Sequence, residues 1–194
     1  MFFSAPFISA ALMALSAVEA VPPVPANGLT ERATCSAGYY PNNRGRCTLC
    51  PAGNYCPDGQ SLSQCGTGQY QPKNGTTTVC PNCPAGTYQP NLGQASCIPA
   101  PKGGYVLNSG ASSYNEASGG AFTSFRGQNR TCLTCCGYAA VGNGNTNATR
   151  CPTGTFAYPG SGSGCFSGQN PGCTVPANCT QLADGTCPAG TSDH

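Results

Sequence analysis

The sequence predicts a small disulfide-rich fold: an elongated ladder of short β-hairpins and turns with little regular secondary structure. Three observations predict it. The chain carries 16 Cys, an even number, all after Thr34. Beyond residue 20 it holds six Val, one Ile, seven Leu, four Phe and no Met, roughly a tenth of its residues and well below the ~20 % under which an uncrosslinked chain stays disordered. Four times between Cys35 and Cys97 a Tyr stands five residues after a Cys, as in Cys35/Tyr40, Cys50/Tyr55, Cys65/Tyr70 and Cys83/Tyr88. A bridge closing a loop of about 15 residues contributes about 3 kcal/mol by restricting the unfolded chain. Several such bridges replace the missing apolar burial.

Residues 1–20 are set aside as a secretory signal. Phe7 to Leu15 is an apolar run too short for the ~20 residues a bilayer requires, and Val18-Glu19-Ala20 offers small residues for cleavage after about Ala20. No Lys or Arg precedes the run, and an N-terminal membrane anchor is the alternative. An oxidising compartment then follows for the cysteines. Residues 21–34 form a Pro-rich leader, Val21-Pro22-Pro23-Val24-Pro25, that reads as an extended spacer.

Residues 35–97 are the cysteine-rich repeats, with Cys35, Cys47, Cys50, Cys56, Cys65, Cys80, Cys83 and Cys97. Units of this size cannot bury a face alone and are expected to stack end to end, mostly touching neighbours. A Gly two residues before each repeat Tyr permits a backbone turn, and Tyr covers that turn with its hydroxyl in water. Pro41, Pro72 and Pro90 discourage helix. Asn74-Gly75 and Asn91-Leu92-Gly93 supply further turn chemistry.

Residues 98–131 lack Cys and are rich in Gly and Ser, which reads as an insert or linker; Gly103 to Leu107 and Ala121 to Phe125 are candidate strands within it. Residues 132–194 form a divergent cysteine-rich half with Cys132, Cys135, Cys136, Cys151, Cys165, Cys173, Cys179 and Cys187. The signature returns there as Cys151-Pro-Thr-Gly-Thr-Phe156, and Cys187-Pro-Ala-Gly190-Thr begins a further unit. Eight cysteines allow 105 pairings in each half. The loops around the aromatic residue favour Cys35–Cys47, Cys65–Cys80, Cys83–Cys97 and Cys151–Cys165.

The unit Cys80-Pro-Asn-Cys83-Pro-Ala-Gly-Thr-Tyr88-Gln-Pro-Asn-Leu-Gly93-Gln-Ala-Ser-Cys97 resembles the ephrin type-A/B receptor-like cysteine-rich repeat, within the growth-factor-receptor and TNF-receptor-like cysteine-rich class. The resemblance covers Cys35 to Cys97 well and Cys151 to Cys165 weakly. It implies a ladder of small disulfide modules serving as a stalk or recognition surface, with no catalytic residues. No kinase or membrane span accompanies the repeats here, so receptor signalling is not implied.

The Cys47/Cys50, Cys80/Cys83 and Cys132/Cys135 pairs have zinc-ligand spacing, but the one His is the terminal His194, and adjacent bridged loops explain them without a metal. A thioredoxin-like redox reading needs a βαβ context that is absent. The vicinal Cys135-Cys136 reads as two bridges diverging, with an exchangeable redox disulfide as the alternative. No internal His can activate a nucleophile, and Glu31, Asp58, Glu116, Asp184 and Asp193 never pair in sequence. Neither an enzyme nor a cofactor is expected. The formal net charge of +2 is scattered singly, which excludes a nucleic-acid stripe.

Four N-glycosylation sequons are present, at Asn74, Asn129, Asn147 and Asn178. The first three are expected to carry glycans, and Asn178 is left undecided because Cys179 follows it. The expected function is a secreted non-catalytic structural or binding protein of the extracellular matrix, cell wall or cell surface. Its partner would be an extracellular protein or glycan, met through Tyr39, Tyr70, Tyr88 and their loops. The alternative is a secreted effector or ligand engaging one specific receptor.

Overall fold

The computed structural model describes residues 34–168, 172, 174–188 and 191. The expected signal, nearly all of the leader, Cys173, Gly190 and His194 lie outside the described residues. Those described contain no helix and seven two-stranded antiparallel sheets, each a hairpin of consecutive strands.

The strands are β1 (Tyr39–Pro41) with β2 (Cys47–Leu49), β3 (Asn54–Tyr55) with β4 (Ser63–Gln64), and β5 (Thr87–Tyr88) with β6 (Ile98–Pro99). They continue as β7 (Gly104–Tyr105) with β8 (Asn115–Glu116), β9 (Ala121–Phe122) with β10 (Cys132–Leu133), β11 (Tyr138–Ala139) with β12 (Thr149–Arg150), and β13 (Thr155–Phe156) with β14 (Phe166–Ser167). A single bridge, Gln69 to Asn82, marks one more hairpin between β4 and β5. We call these eight units rungs, opening at Cys35, Cys50, Cys65, Cys83, Ala100, Ala117, Thr134 and Cys151.

One register rule runs through them. The residue five after the opening position faces its partner across the hairpin as Tyr40↔Thr48, Tyr55↔Ser63, Tyr88↔Ile98, Tyr105↔Asn115, Phe122↔Cys132, Ala139↔Thr149 and Phe156↔Phe166. The residue just before that partner closes the rung. In rungs 1, 3, 4 and 8 the opening and closing positions are the disulfides Cys35–Cys47, Cys65–Cys80, Cys83–Cys97 and Cys151–Cys165.

The segment expected to be an insert or linker therefore carries rungs of the same construction. Rungs 5, 6 and 7 place Ala100 and Tyr114, Ala117 and Thr131, and Thr134 and Ala148 where the cysteines would stand. Glycine rather than cysteine sets the period. In rung 4 the Thr87 N–H donates to the Pro84 carbonyl, 3.0 Å away, across Gly86 with φ +83°. That is a turn whose third position needs positive φ, which glycine adopts without penalty. The same four-residue bond recurs in rungs 5 to 7, from Gly104 to Pro101, Ala121 to Ser118 and Tyr138 to Cys135.

The turn glycines also stack the rungs. Each donates its N–H to the next rung: Gly38 to Cys56, Gly53 to Gln71, Gly68 to Gln89, Gly86 to Val106, Gly103 to Thr123, Gly120 to Ala140 and Gly137 to Ala157, at 2.7–3.0 Å. The stacking reaches further than the expected nearest neighbours. A Cβ on Gly53 would strike the Gly93 carbonyl, and one on Gly86 the Gly127 carbonyl, each two rungs on.

The acceptor residues line the core: Cys56, Val106, Thr123 and Ala157 are at most 1 % exposed, and Gln71, Gln89 and Ala140 are also buried. Polar members satisfy themselves locally, as Gln89 does by donating to the Ser96 carbonyl at 2.7 Å and accepting from the Asn91 N–H at 3.1 Å. Cys56 sits in this inward column, six residues from the opening cysteine of its own rung, and forms Cys50–Cys56. That pairing has no counterpart in the other rungs.

Candidate functional site

The three tyrosines expected at the contact surface, Tyr39 beside the repeat Tyr40 and the repeat tyrosines Tyr70 and Tyr88, differ in exposure. Tyr39 is exposed, whereas Tyr70 and Tyr88 are half-buried. Tyr88 packs against Tyr114, ring centroids 5.4 Å apart, and the Tyr114 ring also covers Gly104, which has no Cβ to obstruct it. Tyr114, which stands at the closing-cysteine position of rung 5, thus packs on Gly104 of its own rung and on Tyr88 of rung 4. The structure does not gather Tyr39, Tyr70 and Tyr88 into one cluster: each belongs to a different rung.

A second set of exposed side chains was not picked out by the tyrosine motif. Leu107, Val141 and Tyr158 are 56 %, 65 % and 55 % exposed and occupy one rung position, two residues beyond the aromatic site. Pro57, Pro72 and Pro90 hold that position in rungs 2 to 4 and are also exposed. The signal was present in the sequence, but finding it requires the rung register. Near the end of the ladder Phe156 meets Tyr158 edge-on at 5.2 Å and Phe166 at 6.0 Å.

The divergent half is clasped by its tail. Cys132–Cys187 and Cys135–Cys179 tie the tail to rungs 6 and 7 across 55 and 44 residues, and Cys136 is disulfide-bonded as well. The Tyr138 hydroxyl donates to the carbonyls of Ala177 at 2.9 Å and Pro176 at 3.3 Å. Buried Gln181 accepts the Ser124 N–H at 2.8 Å and donates to Gln128 and to the Gly185 carbonyl at 2.9 and 2.7 Å. Phe122, Cys132, Cys135, Tyr138 and Cys179 pack into an apolar cluster. The tail is thereby held against rungs 6 and 7.

The carboxylates serve turns. Asp58 accepts the N–H groups of Gln60 at 2.9 Å and Ser61 at 3.2 Å, and these bonds hold its carboxyl below the usual range. Asp184 accepts the Thr186 N–H at 2.9 Å and its hydroxyl at 2.7 Å, with the same effect. Glu116 is exposed; Glu31 and Asp193 lie outside the described residues. Among the described residues no group of three or more His, Cys, Asp or Glu is placed to hold a metal ion, and no helix is long and apolar enough to cross a membrane.

Asn74, Asn129, Asn147 and Asn178 are all exposed. The Asn74 side-chain Oδ1 accepts the Ala52 N–H at 2.7 Å, and Asn147 borders an open groove of about 470 Å³ with Val141, Arg150 and Pro152.

Fold and side chains define the class: a cysteine-rich β-hairpin repeat. The sequence profile of the tyrosine-protein kinase ephrin type A/B receptor-like family matches residues 73–116, from rung 3 into the cysteine-free rung 5. The chain is 34 % identical over 87 residues, 40 % of its length, to the rat "Sushi, von Willebrand factor type A, EGF and pentraxin domain-containing protein 1", of which it covers 2 %. It is 27 % identical over 149 residues, 63 % of its length, to the human "Signal peptide, CUB and EGF-like domain-containing protein 2", covering 14 %. Mouse thyroglobulin is 33 % identical over 82 residues, 40 % of this chain and 2 % of that protein. The chain therefore spans a small fraction of the relatives it matches.

Proposed function

We propose that this chain is a secreted, non-catalytic structural or binding protein of the extracellular matrix, cell wall or cell surface. Residues 1–20 act as its signal, and Asn74, Asn129 and Asn147 carry N-glycans. The observation that carries the reading is the recurrence of one rung geometry under changing side chains: the frame turns the position two residues beyond the aromatic site outward in six of its eight rungs, at Pro57, Pro72, Pro90, Leu107, Val141 and Tyr158. Such a surface suits repeated contacts, weak singly and strong together when several engage at once. Tyr39, Tyr70 and Tyr88, with Leu107, Val141 and Tyr158, are the side chains offered to an extracellular protein or glycan.

The test is to express the full chain in a secreting host, fractionate medium, surface and matrix, and measure binding to isolated matrix. Matrix retention that falls stepwise as Leu107, Val141 and Tyr158 are changed to Ser supports the reading. A freely diffusing monomer with one tight partner, unaffected by those changes, would establish the effector reading instead.

A further inference from the structure

Asn178 differs from the other sequon asparagines in what flanks it. Cys179 is 2 % exposed, bridged to Cys135, and its sulfur accepts the Cys135 N–H at 2.9 Å. On the other side the Ala177 carbonyl is held by the Tyr138 hydroxyl at 2.9 Å. The asparagine itself is exposed, but both of its neighbours are fixed to rung 7. We propose that Asn178 is a conditional glycosylation site, open while Cys135 and Cys179 are thiols and closed once their bridge forms. The proposal rests on the secreted reading.

Two reactions compete for one short segment. In glycosylation the Asn178 amide nitrogen forms a bond to the anomeric carbon of a lipid-pyrophosphate-linked oligosaccharide. The bond from that carbon to the pyrophosphate breaks, the lipid pyrophosphate leaves, and the amide nitrogen gives up one proton. In bridge formation a disulfide-bearing oxidoreductase takes two electrons and two protons from Cys135 and Cys179 and is itself reduced to a dithiol. The sequon has to bend into a transferase with its Asn and Thr180 presented together. A segment pinned at Ala177 and Cys179 cannot be so reshaped without breaking the Tyr138 bond and displacing a buried sulfur. Cys135 precedes Cys179 by 44 residues, so the upstream thiol is already available when the sequon emerges. Thr180, the hydroxyl residue, is exposed, so the bridge rather than burial of the sequon closes the site.

The experiment is translation of the full chain into secretory microsomes with and without dithiothreitol, beside the Cys135→Ala variant, which leaves the sequon intact. Occupancy at all four sites is read by peptide N-glycosidase in ¹⁸O-water and peptide mass. Because the transfer is read before export, a variant that later fails to fold still reports. Asn178 is expected to be mostly unoccupied in the oxidised wild type and to rise several-fold under reductant and in Cys135→Ala, with Asn74, Asn129 and Asn147 changing little. Equal Asn178 occupancy in all three samples, or glycosylated Asn178 in molecules whose Cys135–Cys179 bridge is intact, would overturn the proposal alone. Absence of glycan from every sequon would overturn it together with the secreted reading.

Discussion

Ala117 and Thr131 hold the opening and closing positions of rung 6, the two positions that a disulfide joins in rungs 1, 3, 4 and 8. The register is common to all of them, since Phe122 pairs with Cys132 as Tyr88 pairs with Ile98. Both residues are buried, at 0 % and 3 % exposure. The hairpin is therefore specified by its turn glycine and ladder bonds, and the bridge is an optional addition to it.

A designed bridge should restore the pattern. The Ala117→Cys/Thr131→Cys pair is expected to oxidise spontaneously and stabilise the ladder by about 2–3 kcal/mol, the usual value for a loop of this length. Thr131 belongs to the Asn129 sequon, so the comparison uses deglycosylated protein. Intact mass reports the loss of two protons, and denaturant unfolding with and without reductant reports the stabilisation.

How much of this was legible in the sequence follows from what each residue type encodes. The aromatic signature, the four rung bridges and the hairpin-and-turn character could be read from Cys and Tyr spacing. Rungs 5 to 7 lack the cysteine marker of the other units, although Gly103, Gly120 and Gly137 continue the period with Tyr105 and Phe122 in place. Cys50–Cys56 and the tail clasp depend on which side chains turn inward and on distant segments meeting, and spacing encodes neither. The exposed stripe at Leu107, Val141 and Tyr158 becomes visible only after rungs 5 and 7 are recognised.

Glycine substitutions should separate turn strain from close packing. Gly45 has φ +70° and no atom within 4 Å of a built Cβ, whereas at Gly86 the Cβ meets the Gly127 carbonyl. Gly45→Ala is expected to cost about 1–2 kcal/mol from the left-handed backbone alone. Gly86→Ala adds a backbone collision and is expected to cost at least twice as much. Denaturant midpoints check the difference, and equal losses would contradict the two-rung stacking contact.

Tyr114 acts as the staple of rung 5. Tyr114→Ser removes its ring from Tyr88 and Gly104 and is expected to cost about 1–2 kcal/mol, combining a lost aromatic pair with newly exposed surface. Amide exchange should quicken around Tyr105 and Asn115 while Tyr70 and its rung stay protected. Uniform acceleration along the whole ladder would contradict a local role.

Asp58 and Asp184 should both titrate below the ordinary aspartate range, because turn N–H groups stabilise their charged forms. A folded-state pKa below the unfolded value means that the stabilisation is complete above the unfolded pKa. It fades as pH falls through the folded one. Carboxyl chemical shifts against pH give the midpoints. Asp184→Asn should abolish the acid-dependent change near Thr186 without altering that near Gln60.

Reduction of the bridges should follow sulfur access. Cys47 and Cys165 are exposed, whereas Cys50, Cys56, Cys135 and Cys179 are buried. Thiol–disulfide exchange requires the attacking thiolate to reach a sulfur, so Cys35–Cys47 and Cys151–Cys165 are expected to open first under mild reductant. Cys50–Cys56 and Cys135–Cys179 should persist until the rungs around them unfold. Differential alkylation followed by peptide mass resolves the order. Early opening of Cys135–Cys179 would mean that the tail detaches before the ladder melts, and that the clasp opens independently of the frame it closes.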